Sequence, residues 1–296
     1  MNIATSSSTQ KIWRLITVFM FAAISGCTTI NSPITSSVSL SKQPLTGKFI
    51  WHDLLTDDPK AVREFYTTLF GWHYEQTTLP NRSEAYTLIR SGDHFIGGIV
   101  ELADPDGEVN FSRWLSYLSV VDVDESVATT QGAGGSVLLP SREVGNFGWA
   151  AVVQDPQDAV LGLATSRVGD PDDSVTPGRG DIVWHELLAP DDHSASLFYR
   201  NLAGYDTRMM ERRGGQYHML EAAGVDRAGI VKNPVPDLPA TWLVAFAVSN
   251  PAETAAMAES AGGQVLIAPS EDFREGSTAL LADPTGALML IQKWPL

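Results

Sequence analysis

The sequence predicts an α+β fold made of two tandem modules, and three observations predict it. A series of short motifs occurs twice along the chain, and the local pattern in each copy alternates single helices with groups of strands. The composition of the 296 residues, with 44% hydrophobic and 19% charged, is that of soluble globular domains, and the length suits two domains and a tail. The repeat therefore organises the chain.

The repeat starts with two matching strands. The segment 50–55 (IWHDLL) returns as 183–188 (VWHELL), an offset of 133 residues, and the FY pair at 65–66 and Gly71 recur at the same offset. Later motifs recur at an offset of about 128, which requires only a shorter loop in the second copy: Trp114 with Trp242, Gly134 with Gly262, and Asp155 with Asp283. We therefore predict module 1 at residues 47–168, an Asp-, Pro- and Gly-rich linker at 169–179, and module 2 at 180–296.

Each copy carries two βαβββ units. Residues 48–55 are predicted as a strand, Asp58 as a helix N-cap with Pro59 at the first helical position, and Gly71 as the glycine that ends the helix near Leu69. Three strands follow near 72–78, 84–90 and 94–101. The order then restarts with a strand at 113–121, a helix at 124–133, and strands near 136–140, 147–154 and 158–165. The second copy repeats this series from residue 182 to residue 294.

The first residues are typical of a secretory signal. Lys11 and Arg14 precede the apolar run 15–24, which is too short to cross a bilayer as a transmembrane helix. The sequence 24–27 (ISGC) resembles the bacterial lipobox, in which the cysteine is lipidated and becomes the new N-terminus. This resemblance implies a signal peptide at 1–26 and a lipid anchor at Cys27. An uncleaved anchor or a plain secretory signal is the alternative.

The anchor implies a place in the bacterial cell envelope. Because Thr28 rather than aspartate follows Cys27, the lipobox resemblance implies the outer membrane more than the inner membrane. The Ser- and Thr-rich stretch that completes residues 27–46 is predicted to be a flexible tether. The net charge of −15 argues against nucleic acid as a partner, and the single cysteine excludes an intrachain disulfide.

The motifs together resemble the vicinal-oxygen-chelate superfamily, which includes glyoxalases, bleomycin-resistance proteins and dioxygenases. The similarity lies in the doubled βαβββ unit, the FY…LFGW pattern at 65–72, the Gly-Gly pair at 134–135 and the Asp-Pro turn at 155–156, and it covers roughly residues 47–296. It implies a curved, mixed sheet that encloses a cavity in each module. It also implies that both modules can form one body, so a monomer or a homodimer is expected. The fold leaves the chemistry open.

Metal-dependent members of the superfamily hold their ion with four His, Gln or Glu side chains on the curved sheet. The resemblance places the first ligand position on Trp51 and Trp184 and the last on Gly162 and Leu290. The position that opens the second half falls on Ser116 and Val244, and the remaining one within 97–99 (GGI) and 228–230 (AGI). None of these residues has a His, Gln or Glu side chain that could bind the ion. We therefore expect no cofactor, with a divalent metal as the alternative.

His52 and His185 each lie one residue from the first ligand position. Because side chains alternate between the faces of a strand, each imidazole is expected to point away from the cavity and to pack against a helix as a hydrogen-bonded structural group. A β-bulge would reverse this direction, so a metal-ligand role and a proton-transfer role stay open as alternatives. A site made of His52, His218 and a carboxylate is a further alternative without a spacing argument.

The same alternation places Trp51 and Asp53 on the cavity side of module 1, and Trp184 and Glu186 on that of module 2. An indole beside a carboxylate suits a small ligand with an aromatic or cationic part. Asp53 and Glu186 are candidate general bases if burial raises their pKa, so the candidate catalytic residues are these two and both histidines. Further ligand-contact candidates are Tyr86 and Tyr217. Alternatively, the tryptophans only fill a lost metal pocket.

The sequence thus favours an envelope lipoprotein that binds a small organic ligand without the standard metal site. One alternative is a divalent-metal-dependent lyase, isomerase or dioxygenase that uses His52 or His185 in a shifted register. Another is a non-catalytic interaction protein of the envelope. The ligand itself is not named by the sequence.

Overall fold

A computed structural model describes residues 40–41, 43–78, 85–104, 106–173, 176–212, 215–234 and 239–295. The predicted signal peptide, Cys27 and the first part of the predicted tether lie outside the described residues. Within the described ranges, every helix is too short or too polar to cross a membrane.

Module 1 is a mixed eight-stranded sheet with two helices. The strands follow the order β2-β3-β4-β1-β5-β8-β7-β6, in which β1 pairs with β4 and β5 with β8 in parallel, and the other neighbours pair antiparallel. The elements are β1 (Phe49–Thr56), α1 (Pro59–Phe70), β2 (His73–Thr78), β3 (Ala85–Ser91), β4 (His94–Glu101), β5 (Arg113–Ser119), α2 (Val123–Gly132), β6 (Ser136–Val144), β7 (Gly148–Gln154) and β8 (Val160–Ser166).

Module 2 repeats this topology, with the strand order β10-β11-β12-β9-β13-β16-β15-β14. The elements are β9 (Ile182–Ala189), α3 (Asp192–Ala203), β10 (Asp206–Arg212), β11 (Gly215–Ala222), β12 (Val225–Lys232), β13 (Thr241–Val248), α4 (Pro251–Ser260), β14 (Gln264–Ile267), β15 (Thr278–Ala282) and β16 (Leu288–Lys293). Each module therefore consists of two βαβββ units, and the predicted α+β fold of two tandem modules is confirmed.

The helix ends follow from the local sequence. Asp58 accepts hydrogen bonds from the backbone N–H groups of Lys60 (3.1 Å) and Ala61 (2.9 Å), which have no partner inside the first turn of α1. The chain leaves α1 through Gly71, whose φ of 74° belongs to the left-handed region that glycine adopts at low cost.

The two modules are packed into one body through cores that they share. Helix α1 of module 1 contacts α4 of module 2, and α2 contacts α3. One buried cluster joins mainly the first unit of module 1 to the second unit of module 2. In it Tyr66, Trp72 and Trp114, the last of them on β5, pack around Phe246. A second cluster joins the other two units. The face of each sheet that packs against helices is therefore buried between the modules.

The repeated FY and Asp-Pro motifs meet across this interface. The Tyr66 hydroxyl donates to Asp283 Oδ2 (3.1 Å) and accepts from Trp114 Nε1 (3.0 Å), and Tyr199 donates to Asp155 Oδ2 (2.9 Å) in the same way. Burial raises the pKa of both tyrosines well above its usual value, so the phenols stay protonated and act as donors. These motifs therefore hold the modules together, and we refer to the two tyrosine–aspartate contacts as the clasps.

The predicted tether of residues 27–46 is partly packed. Leu40 forms a β-bridge with Pro171, Ser41 N donates to the Asp170 carbonyl (2.8 Å), and Leu45 N donates to the Asp170 carboxylate (2.5 Å). Leu40, Ser41 and Leu45 thus lie against the predicted linker. The Ser- and Thr-rich composition could not show this, because a fully buried Asp170 supplies the acceptors from 125 residues away.

Candidate functional site

Each sheet has a second face, turned away from the helices, which we call the inner face. Asp53 is the centre of the inner face of module 1. Trp51 Nε1 donates to its Oδ1 (3.1 Å), Tyr117 OH donates to its Oδ2 (3.0 Å), and the Tyr86 hydroxyl also donates to Oδ1. Trp51 Nε1 lies 2.9 Å from the Tyr86 oxygen as well. Three donors from three different strands thus fix the orientation of one carboxylate.

The backbone register brings these groups together. Trp51 and Asp53 are two residues apart on β1 and share a face, and Trp51 lies directly opposite Tyr117 in the antiparallel pair β1–β5. Burial, together with the charge of Asp53, raises the pKa of Tyr86 well above its usual value. The Tyr86 phenol therefore stays protonated at neutral pH and serves as a donor.

Glu186 occupies the same place in module 2. Tyr217 OH donates to Glu186 Oε2 (3.1 Å) and accepts from Trp184 Nε1 (2.8 Å), while Arg274 donates to Oε1. The Glu186 side chain is 2% exposed and that of Arg274 is 22% exposed. A buried carboxylate is thus neutralised by a guanidinium that reaches solvent.

Arg274 lies in a short turn between β14 and β15 with an unusual backbone. Arg274, Glu275 and Gly276 follow one another with φ angles of 51°, 55° and 70°. The corresponding turn of module 1 reads Gly-Asn-Phe at 145–147 and holds no cationic residue. The two inner faces share an indole–phenol pair but differ in the second donor to the carboxylate, which is Tyr117 in module 1 and Arg274 in module 2.

Neither of these donors is predicted from the sequence. The superfamily resemblance places the ligand position that opens the second half on Ser116 and Val244, but Ser116 pairs with His52 and Val244 with His185, so both face the helices. The inner-face residue of β5 is Tyr117, one position further on. The parity of β5 relative to β1 would have identified it, whereas Arg274 lies in an irregular turn without a periodic signal.

The inner-face residues do not fit the metal site of the resembled superfamily. A β-carbon added to Gly98 would overlap the Tyr86 ring, one on Gly162 would overlap Tyr117, and one on Gly229 would overlap Tyr217. The phenols therefore occupy the space that a ligand side chain at these glycines would need. Among the described residues, His, Cys, Asp and Glu side chains form no group of three that could hold an ion.

His52 and His185 meet each other at the module interface. Their Nε2 atoms are 2.8 Å apart, His52 Nδ1 lies 3.0 Å from the Ile96 carbonyl, and the Phe49 ring stacks on His185. Burial lowers the pKa of His52 to about 4 and that of His185 well below its usual value. Both imidazoles are thus neutral: His52 donates from Nδ1, and its Nε2 accepts from His185.

The sequence predicts that these imidazoles pack against a helix, but the partner that each one contacts is the other imidazole. Strand parity does turn them away from the inner face, but each imidazole contacts its repeat-related copy across the module interface. Their burial at this interface separates both of them from the inner faces and from the groups that converge on Asp53 and Glu186.

His218 also faces the helices. It neighbours the inner-face residue Tyr217 on β11, and its Nε2 lies 3.3 Å from Asp192 on α3. The alternative site made of His52, His218 and a carboxylate is therefore not formed among the described residues, since His218 has its carboxylate neighbour on α3 while His52 has His185.

Comparisons with known proteins cover both modules. No family model matches the chain. The chain is 33% identical over 246 residues to the putative glyoxylase CFP32 of Mycobacterium bovis, covering 82% of this chain and 93% of that protein. It is 28% identical over 257 residues to the anthracycline biosynthesis protein DauV of Streptomyces sp., covering 81% and 91%. The Mn(II)-bound glyoxalase from Novosphingobium aromaticivorans has a similar structure, with a TM-score of 0.56 and 13% identity over 84% of this chain and 82% of that chain.

Proposed function

Because the chain belongs to the vicinal-oxygen-chelate superfamily as a tandem two-module member, we propose that it binds a small organic ligand on the inner faces of its modules without the superfamily's standard metal site. The observation that carries the proposal is the network of phenols, indole and carboxylate on each inner face. These groups fill the positions at which metal-dependent members place their ligands, and they leave hydrogen-bonding groups beside aromatic surface.

The composition of these faces supports binding of an organic molecule. Ligand sites are mostly apolar surfaces on which a few fixed polar groups set the orientation. In module 2 the polar group of Glu186 adjoins a buried apolar cluster that includes Leu188, Leu243, Ala245, Leu280 and Leu290, against which Trp184 packs. In module 1 the network around Asp53 adjoins Leu88 and Val100.

Metal analysis and a ligand screen on the same preparation test the proposal. The full-length, tagless chain is dialysed without chelator, and its content of zinc, nickel, manganese and iron is measured; we expect far less than one ion per chain. Asp53→Asn and Glu186→Gln are then expected to weaken ligand-induced thermal stabilisation, because a ligand that prefers the native state must raise its stability. Stoichiometric metal that survives dialysis would instead support the metal-dependent lyase, isomerase or dioxygenase alternative.

The non-catalytic interaction protein gives a different outcome. It predicts no thermal shift with any small molecule in a broad metabolite screen, for the parent chain and for both variants alike. A reproducible shift that disappears in one of the two variants excludes this alternative and assigns the binding to the module that carries the substitution.

We also propose that the chain is lipidated at Cys27 and held in the bacterial envelope. The lipobox-like segment 24–27 and the apolar run before it support this location. The test compares the parent with Cys27→Ser after labelling with a fatty acid. The parent is expected in the membrane fraction with label, and the variant without label. A labelled, globomycin-sensitive Cys27→Ser product would overturn the proposal.

A further inference from the structure

The Arg274 guanidinium has hydrogen-bonding capacity that the chain does not use. Its contacts among the described residues are the hydrogen bond to Glu186 and a stack over the Phe273 ring, with 5.6 Å between the guanidinium carbon and the ring centroid. A guanidinium carries five N–H donors in a planar fork that matches a carboxylate. Since the side chain is 22% exposed, the remaining donors are accessible at the edge of the inner face.

Glu186 and Arg274 lie at different depths. The carboxylate is 2% exposed, so a molecule that approaches the inner face of module 2 meets the guanidinium before it meets the carboxylate. Glu186 therefore lies beneath the guanidinium, where it neutralises the charge of Arg274 and orients its side chain. An arginine held by one carboxylate can still bind a second carboxylate through its free edge.

The turn that carries Arg274 is held in a costly conformation. Arg274 and Glu275 both have positive φ, a conformation that costs a non-glycine residue free energy and that persists only where the surrounding structure imposes it. Two hydrogen bonds to the Arg274 carbonyl, from Ser277 N (3.0 Å) and Ser277 Oγ (2.6 Å), hold the turn. The backbone thus fixes the base of the arginine side chain, and Glu186 fixes its tip.

The accessible apolar group near the guanidinium is Trp184, which is half-buried and lies on an apolar cluster. Leu188, Leu243 and Leu290 are nearly fully buried and form one cluster against which Trp184 packs. An oriented cation near this indole matches an amphipathic molecule with one anionic end. A cationic molecule would meet the guanidinium first and be repelled.

We propose that the inner face of module 2 recognises a small organic acid, with the acid's carboxylate on Arg274 and its apolar part against the half-buried Trp184. This inference rests on the proposed function and adds a ligand class to one of the two faces. Arg274 is then the residue that determines specificity, and Glu186 is a positioning residue. The net charge of −15 gives no long-range attraction for an anion, so recognition depends on the direct contact.

Matched acids and amides test the inference, because each pair differs in charge but hardly in shape. The probes are benzoate with benzamide, phenylacetate with phenylacetamide, and 3-phenylpropanoate with 3-phenylpropanamide. Binding to the detergent-purified full-length chain is measured by ligand-observed NMR titration. We expect the best acid to bind about ten- to a hundredfold more tightly than its amide, as a charge-assisted hydrogen bond provides.

Three variants locate the preference. Arg274→Gln should remove it, and the double variant Arg274→Gln/Glu186→Gln should remove it too while leaving no unpaired charge that could prevent folding. Arg167→Gln, which removes an exposed arginine that pairs with Glu143 outside both networks, is the matched control and should retain the preference. Equal binding of acids and amides, or an acid preference that survives the double variant, would overturn the inference and leave ligand binding as such intact. If no probe of either kind binds, the inference fails, and the broader screen described above decides the proposed function separately.

Discussion

The buried pair of His52 and His185 makes the free energy of unfolding depend on pH below neutrality. The perturbation is acidification from pH 7 to pH 5. In the unfolded chain a histidine has a pKa of about 6.5, whereas burial lowers the pKa of His52 to about 4 in the folded chain. At pH 7 the histidine is mostly unprotonated in both states. At pH 5 it is mostly protonated in the unfolded state but not in the folded state, so stability falls as the pH falls through this window.

The size of the effect follows from these two pKa values. For His52 alone, linkage gives a loss of about 2 kcal/mol at pH 5 and about 3 kcal/mol at pH 4. His185 acts in the same direction, because burial and the nearby His52 and Lys48 lower its pKa well below the usual value. Protonation of one imidazole also places a charge opposite the other across 2.8 Å.

Urea denaturation at pH 7 and pH 5 measures the loss, with the variant His52→Gln/His185→Gln as the reference. The reference is needed because burial raises the pKa of Asp155 and Asp283, which stabilises the folded state on acidification and opposes the histidine effect. Those groups are present in both proteins and cancel in the difference. The parent should lose at least about 2 kcal/mol more than the variant on going to pH 5. Equal losses in the two proteins would show that the pair is not a buried neutral pair.

Three further substitutions follow from the geometry, and urea denaturation at pH 7 checks each one. Tyr66→Phe removes a clasp and leaves Trp114 Nε1 and Asp283 Oδ2 without the tyrosine hydroxyl, so we expect the free energy of unfolding to fall by about 2–4 kcal/mol. Tyr74→Phe, whose hydroxyl donates to the Arg63 carbonyl at a half-buried site, should lower it by under about 1 kcal/mol, and similar losses in the two variants would argue against the clasp. Gly98→Ala should lower the free energy of unfolding by about 1–3 kcal/mol and weaken ligand binding, because the new methyl group displaces Tyr86. The control Gly132→Ala, where a methyl group would enter open space, should change the free energy of unfolding by less than about 1 kcal/mol. An unaffected Gly98→Ala chain would mean that Tyr86 does not fill this space. Arg274→Gln should lower the free energy of unfolding by about 3–5 kcal/mol, because it leaves Glu186 buried without its cation. Adding Glu186→Gln should recover most of that loss. If stability is not recovered, the loss arises in the turn itself.

Much of the fold could be predicted because the duplication is visible in the sequence. Helix starts at Asp58 and Asp191 and ends at Gly71 and Gly204 are set by local chemistry, so they appear in the sequence as short, recognisable patterns. The period of two along a strand is equally local. It places Trp51 and Asp53 on one face and His52 on the other, and the structure has the same arrangement.

The remainder depends on contacts between distant segments, which a local pattern does not encode. Parity predicts that His52 leaves the inner face but cannot predict that His185 meets it there. Tyr117 was overlooked because the register between β1 and β5 was assigned one residue away. Arg274 lies in an irregular turn, where neither the period of a strand nor that of a helix applies, and it reaches Glu186 across 88 residues.

The two copies differ in a way that separates structure from function. The clasps and the histidine pair use the same residue types in both modules, because each contact at the interface joins one copy to the other. The inner-face residues of one module need not match those of the other. Tyr117 of module 1 has Ala245 as its counterpart, and Arg274 has no cationic counterpart in the turn at 145–147. A pair of identical sites would require the same donors on both carboxylates. Since Asp53 is held by two phenols and an indole while Glu186 is held by one phenol and a guanidinium, the modules present different electrostatics to a ligand, and they are expected to bind different molecules or different parts of one molecule.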